Sequence, residues 1–264
     1  MVNTEKKYHP IITHDIDRYY KWNSYKSLLG EWSRITQGQS SWTYAEAWYS
    51  YKKRTTKDPF SNICEIVNMD KKYGLDSVTY IMTTDQIHPI NINDYRVEDL
   101  KNDLEHILSM DGEIGIHPGI FTYNDFEKFN SQKNALETIS KQKIIRNRQH
   151  YLKYDPSITF HNLAKSGIKN DSSILVDNME MPPYDTYTML DNNNNEIGIT
   201  QTPLVFMDTH HMNKSDNTIL AILEQALAPA KANNGEVMVL WHNNNVSNDR
   251  ERGLYREVLQ VMKG

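Results

Sequence analysis

Two patterns of apolar residues alternate along the chain. Short, near-continuous apolar runs occupy Pro10 to Ile16, Ser77 to Met82, Glu113 to Ile116, Ser173 to Val176, Pro203 to Met207 and Glu236 to Trp241. Strands covered on both faces read this way, without strict alternation. A further short strand is expected just before Gln149. Between the runs, apolar residues recur every three to four positions. Asn62 to Tyr73 carries Ile63, Ile66 and Val67 and stops at Gly74; Asp94 to Met110 carries Val97, Leu100, Leu104, Ile107 and Leu108, with Gly112 beyond. Asp216 to Ala230 repeats the pattern, and Leu254, Val258, Leu259 and Met262 mark a last helix. Each spacing puts one apolar stripe on a helix, and the glycines stand where helix stops need them.

Strand and helix in alternation predict an α/β fold. A (β/α) barrel suits 264 residues, with an open doubly wound sheet as the second possibility. Gly112-Glu113-Ile114-Gly115 precedes no helix, so no phosphate-cradling loop favours the open sheet. Asn192 to Asn195 and Pro182-Pro183 read as parts of one long loop inside a single domain spanning 1–264.

Composition narrows the partners. With 38% hydrophobic and 24% charged residues, the chain is neither disordered nor fibrous. No apolar run approaches the ~20 residues of a membrane helix. Met1 to Tyr8 is polar and charged, so no secretory leader is expected and a cytoplasmic location is. One cysteine, Cys64, excludes a disulfide framework and a cysteine-built zinc site; its place on an apolar helical stripe suggests core. A net charge of −5 with no basic block argues against nucleic acid.

Ionisable residues gather where predicted strands end, which in an α/β barrel is where active sites lie. Asp15 and Asp17 close the first run and, two apart, face one way while His14 and Ile16 face the other. Adjacent carboxylates repel unless a cation or proton intervenes; a metal bound by one leaves the other as a base. An Asp-rich turn or helix cap is the plain alternative. His117 leaves a strand at Pro118, as a metal ligand or as an ordinary hydrogen-bonded loop residue. His242 follows an apolar strand and could be a general acid or base, or a structural cap. Arg148 could hold a catalytic carboxylate through a two-pronged hydrogen bond, or sit in a solvated basic turn. Asp208 follows another strand, and His210 and His211 beside it could line a substrate groove; His9, His88, His106 and His161 read as structural or exposed.

Six motifs, in order, resemble the polysaccharide deacetylase family (NodB-homology, carbohydrate esterase type 4), nearest to a subgroup encoded with bacterial surface-polysaccharide genes. They are Thr13 to Asp17, Gly115 to Pro118, Arg148 to Leu152, Gly167 to Ser172, Pro203 to Asp208 and Leu240 to Asn243; Asp58 to Tyr73 with Gly74 looks like the family's first helix. The resemblance implies a distorted (β/α)7-type barrel and metal-dependent removal of an N-acetyl group from a sugar. Asp15 then matches the catalytic base, Asp17 and His117 metal ligands, Arg148 the arginine that orients the base, and His242 the general acid, with Asp171 a possible partner for it. The implied cofactor is a divalent metal, zinc being the expected one.

One departure bears on the ligand set. The family's second motif has two histidines four residues apart, and the position four after His117 is Phe121. A catalytic zinc takes three protein ligands. His150 is the candidate third, because its motif occupies a loop that reaches the active site in the family. Leu175 to Asn195 does not match the subgroup and is a candidate for setting the substrate. Together with the expected location, the resemblance implies a nucleotide- or lipid-linked N-acetylated saccharide. The rival readings are a silent barrel that binds a glycan or assembly partner, and a metal-dependent hydrolase of another C–N amide bond.

Overall fold

The computed structural model describes residues 6–40, 42–53, 58–84, 94–176 and 184–264. Chain order runs β1 (His9–Ile16), α1 (Tyr25–Thr36), α2 (Tyr44–Lys53), α3 (Ile63–Tyr73), β2 (Asp76–Met82), α4 (Lys101–Ser109), β3 (Glu113–His117), α5 (Phe126–Ser140) and β4 (Arg146–Asn147). It continues with α6 (Thr159–Lys165), β5 (Asn170–Asp171), β6 (Tyr187–Leu190), β7 (Glu196–Gln201), β8 (Leu204–Met207), α7 (Asp216–Asn233), β9 (Glu236–Leu240) and α8 (Asp249–Lys263). One mixed sheet holds all nine strands in the order β6-β7-β5-β4-β3-β2-β1-β9-β8. Every pairing is parallel except the β6–β7 hairpin.

The sheet curls into an open, distorted barrel. Across its gap, Leu175 bridges to Leu204, with Val176 N–H donating to Leu204 O at 2.8 Å and Leu204 N–H to Ile174 O at 3.1 Å. The run Ser173 to Val176, expected as a strand, is therefore a seam: β5 ends at Asp171, and one bridge joins the two sides of the curl.

Alternation along the strands separates two layers. Ile11, Val78, Tyr80, Leu204, Met238 and Leu240 fill the barrel interior. Ile12, Val237, Val239 and Trp241 face outward against Ile219, Leu223, Val258 and Leu259 of α7 and α8. Burying each such aliphatic side chain contributes about 1.5–3 kcal/mol, so both faces of β1 and β9 are locked. This explains why their runs are continuous rather than alternating. Gly115 serves the interior by its lack of a side chain, since a Cβ there would stand 2.4 Å from the Tyr80 ring.

Several expectations shift at the edges. Asn192 to Asn195 is a tight hairpin turn rather than part of a long loop; the Asp191 carboxylate accepts from the Asn193 and Asn195 backbone N–H groups, both at 2.8 Å. The Asp94 to Met110 helix opens with a 3-10 turn, and α4 proper begins at Lys101. Cys64 is only partly buried, its Sγ 3.2 Å from Asp103 Oδ1; burial first, then the Asp103 charge, push its thiol up to about 12. Pro182-Pro183 and His88 lie outside the described residues.

Candidate metal centre

The parallel strands β1, β3, β4 and β9 end on one rim, and the chemistry is built there. Thr13 and Asp15 point into the barrel from β1, while His14 points out toward the helices. Asp17 follows one residue beyond the strand. His117 is the last residue of β3, and Arg148 and His150 follow β4.

Three donor atoms converge without a bond among them that accounts for all three. His117 Nε2 stands 3.2 Å from Asp17 Oδ1 and 2.9 Å from His150 Nδ1, and His150 Nδ1 stands 3.7 Å from Asp17 Oδ1. Asp17 Oδ1 is buried with no hydrogen-bond partner. His117 Nδ1 faces the Arg148 carbonyl oxygen at 2.7 Å, so it donates there and a neutral ring offers its Nε2 lone pair to the cluster. A lone pair, a second imidazole nitrogen and a carboxylate oxygen facing one another is a cation site. Tetrahedral zinc with bonds of about 2.0–2.1 Å sets its ligand atoms roughly 3.3 Å apart, which the three separations bracket. Asp17, His117 and His150 therefore fit a divalent cation. Burial alone would raise the Asp17 carboxyl, but the imidazoles around it, His117 first and then His242 and His150, hold it well below the usual carboxylate range.

On one side of this cluster stands Asp15, whose Oδ2 is 3.8 Å from His117 Nε2. Arg148, wholly buried, fixes it: Nη1 donates to Asp15 Oδ1 at 2.9 Å and to Thr13 Oγ1 at 2.8 Å, and Nε donates to Ser172 Oγ at 3.0 Å. The guanidinium lies 4.5 Å over the Tyr80 ring, the ring for which Gly115 makes room. The grip on Asp15 is thus one bond and not the two-pronged contact expected, because the remaining donors brace the arginine itself.

His242 stands on the other side, its Nε2 3.8 Å from Asp17 Oδ2. Its Nδ1 donates to Asp208 Oδ1 at 2.6 Å, its backbone N–H donates to Asp208 Oδ2 at 2.8 Å, and Asn245 donates to the same oxygen at 2.7 Å. Burial works against the proton on His242, but the charge and hydrogen bond of Asp208, with Asp17 and Asp15 behind, push its pKa up to about 10.

Asp208 corrects the expectation for Asp171. Asp171 does not reach His242. It accepts from Ser173 N–H and Oγ, both at 2.8 Å, and from Asn147 Nδ2, while Ser173 Oγ accepts from Gln149 N–H at 2.9 Å. Asp171 therefore braces the turn that presents Arg148 and His150. The signal for Asp208 was its place at the end of an apolar strand. What sequence could not supply is that β8 and β9 are neighbours. Phe121 sits on a solvent-facing 3-10 turn, part exposed, while His150 fills the cluster. His211 packs against Phe206, ring centroids 5.0 Å apart and planes tilted by 33°.

Fold and site together define a distorted α/β barrel with a partly buried Asp-His-His cluster, able to hold a divalent cation, at the C-terminal ends of its strands. The same fold is found in a candidate polysaccharide deacetylase from Mycobacterium smegmatis, at a TM-score of 0.62 and 12% identity, over 97% of this chain and 84% of that one. A Bordetella bronchiseptica structure, described as a candidate polysaccharide deacetylase involved in O-antigen biosynthesis, aligns at a TM-score of 0.49 and 11% identity, over 90% and 72%. No family model matches the sequence, and the search of curated proteins returns no match. No helix among the described residues is long and apolar enough to cross a membrane.

Proposed function

We propose that this protein is a metal-dependent hydrolase that removes the N-acetyl group from a sugar, with a nucleotide- or lipid-linked saccharide of surface-polysaccharide assembly as substrate and zinc as the metal. The observation that carries the reading is the flanking of one cation site by a braced carboxylate and a carboxylate-backed histidine. A pure binding protein needs neither. The silent-barrel alternative drew its support from Phe121, and His150 removes that support.

Amide hydrolysis needs a stronger electrophile, a deprotonated water and a protonated leaving amine. A divalent cation held by Asp17, His117 and His150 supplies Lewis acidity to the acyl carbonyl and the attacking water. Asp15 takes the proton of that water; Arg148 occupies Oδ1, so Oδ2, the oxygen nearer His117, is the accepting atom. His242 carries its proton at neutral pH and delivers it from Nε2 to the departing nitrogen, with Asp208 holding the ring at Nδ1. Asp171 and Arg148 position these groups.

Zinc and cobalt calorimetry on metal-stripped protein, with Asp17→Ala alongside, tests the site, followed by acetate release from N-acetylated sugars. One-to-one binding lost in the variant and acetate release from the wild type are expected. Equal metal binding by wild type and Asp17→Ala would refute the assignment.

A further inference from the structure

We infer that the α1–α2 hairpin docks the protein on a membrane surface rich in anionic lipid. The hairpin lies in the connection from β1 to α3, and its helices bury little: Leu28 and Ala47 pack inward with Trp22. The other side is aromatic. Tyr25, Leu29 and Trp32 recur at i, i+4 and i+7 along α1, and Tyr44, Trp48 and Tyr51 do the same along α2. Trp32 joins the two stripes, its ring 6.0 Å from Tyr44 and 6.1 Å from Trp48, and Trp48 lies 6.0 Å from Tyr51. Ten large hydrophobic side chains are exposed among the described residues, and five of them sit on these two helices: Tyr25, Leu29, Tyr44, Trp48 and Tyr49. A contiguous exposed patch of this kind marks an interaction surface.

Charge and residue type select the occupant. Residues 21–53 hold five Lys or Arg and two Glu, a net of +3 in a chain whose net charge is −5. Both carboxylates are engaged within the segment. Glu31 is buried against Lys21 and Arg34, and Glu46 Oε2 accepts from Thr43 N–H and Oγ1. Lys26, Lys52 and Lys53 stay exposed, and Lys52 Nζ lies 4.9 Å over the Trp48 ring, so lysine edges the aromatic patch. The same segment carries four of the five tryptophans. Trp and Tyr join an apolar body to a polar tip, which suits the boundary between headgroups and acyl chains, and lysines beside them attract anionic headgroups. A second copy of the chain fits less well, because twofold pairing of the patch sets the lysines of one copy against those of the other. Docking favours the lipid-linked form of the substrate over the nucleotide-linked one. That consequence rests on the deacetylase reading above; the docking itself does not.

The test is flotation of the whole chain with vesicles of phosphatidylcholine alone and of phosphatidylcholine mixed equally with phosphatidylglycerol. The protein should float with the mixed vesicles at low salt, bind the neutral ones about tenfold more weakly, and be released by concentrated salt. Lys52→Glu with Lys53→Glu should weaken binding to the mixed vesicles about tenfold or more. Tyr25→Ser with Leu29→Gln, both at exposed positions, should weaken it several-fold, with urea unfolding and acetate release from a soluble N-acetylated sugar unchanged. Brominated lipid should quench the tryptophan emission, and Trp48→Phe should reduce the quenching. No flotation with mixed vesicles, equal flotation with neutral ones, or indifference to both paired variants would each overturn the docking. Dimerisation at sedimentation equilibrium that Tyr25→Ser with Leu29→Gln abolishes, without vesicle binding, would give the patch to a second copy instead. Vesicle binding without acetate release from any N-acetylated sugar sinks the deacetylase and leaves the docking standing.

Discussion

Strand β1 and the residue just past its end each join a histidine–carboxylate cluster, one on either side of the sheet, and the two are built to opposite ends. Outward, His14 Nδ1 faces Trp241 O at 2.7 Å and its Nε2 faces Asp70 Oδ2 at 3.0 Å, while the Tyr255 hydroxyl donates to Asp70 Oδ1. All three side chains are buried and every polar atom of the histidine and carboxylate has a protein partner. Inward, Asp17 Oδ1 has none, and it meets two imidazole nitrogens. Residue types are nearly the same in both clusters, although the Asp17 side chain keeps 28% of its surface exposed where Asp70 has none. The difference is satisfaction: a closed network stabilises the join between β1, β9, α3 and α8, whereas the open one has the donor set to take a cation. Buried polar groups normally find partners, so the orphan atom is the diagnostic feature.

Substitutions on the two faces should therefore separate turnover from stability. The largest effect is expected at Asp15→Asn, with acetate release falling by ~10³-fold or more. Zinc stoichiometry should stay at the wild-type value by calorimetry, since Asp15 is outside the ligand set. His150→Ala should lose tight zinc binding; if it keeps it, the third ligand lies elsewhere. On the outward face, His14→Ala leaves Asp70 without its imidazole and should cost about 3 kcal/mol in urea unfolding, with one metal still bound per chain. A loss of metal with unchanged unfolding would reverse the contrast.

Two smaller effects sharpen it. His242 acts with its proton on, so the rate should fall as pH rises through its pKa, which Asp208 pushes up to about 10. Asp208→Asn removes the charge that raises it, and the alkaline limb of kcat/KM should move down by about 1–2 pH units. An unmoved limb would take His242 out of the acid's role. Smallest of all, Phe121→His restores the spacing of the two-histidine motif on an exposed turn. It should change unfolding by within about 0.5 kcal/mol and leave zinc affinity as it was. Tighter zinc would mean the turn reaches the cluster.

Legibility in the sequence followed burial. β1, β2, β3, β8 and β9 were readable within a residue or two because helices and barrel interior cover both faces, which forces continuous apolar runs. α3, α7 and α8 were readable because each buries one stripe. The hairpin β6–β7 was not, since its half-exposed residues alternate weakly and its Asn-rich turn looks like any loop. Helices α1, α2, α5 and α6 were not legible either: polar residues such as Glu31, Ser50, Lys133 and Ser140 take part of the buried stripe in the first three, and α6 is only 7 residues long.

The chain's own order determined which side chains reach the rim. Period-two alternation sent Asp15 inward and His14 outward, and strand ends set Asp17, His117, Arg148, Asp208 and His242 in one layer. Only the tertiary structure decided how they pair. Asp208 rather than Asp171 backs His242, because β8 lies against β9 while Asp171 is locked into the turn beside β4. His150 rather than residue 121 completes the cluster, because β3 and β4 are adjacent and the loop after β4 turns inward. Periodicity is a local property of the backbone and is written in the sequence. Which strand ends become neighbours depends on sheet order, which comes from contacts between residues far apart in the chain.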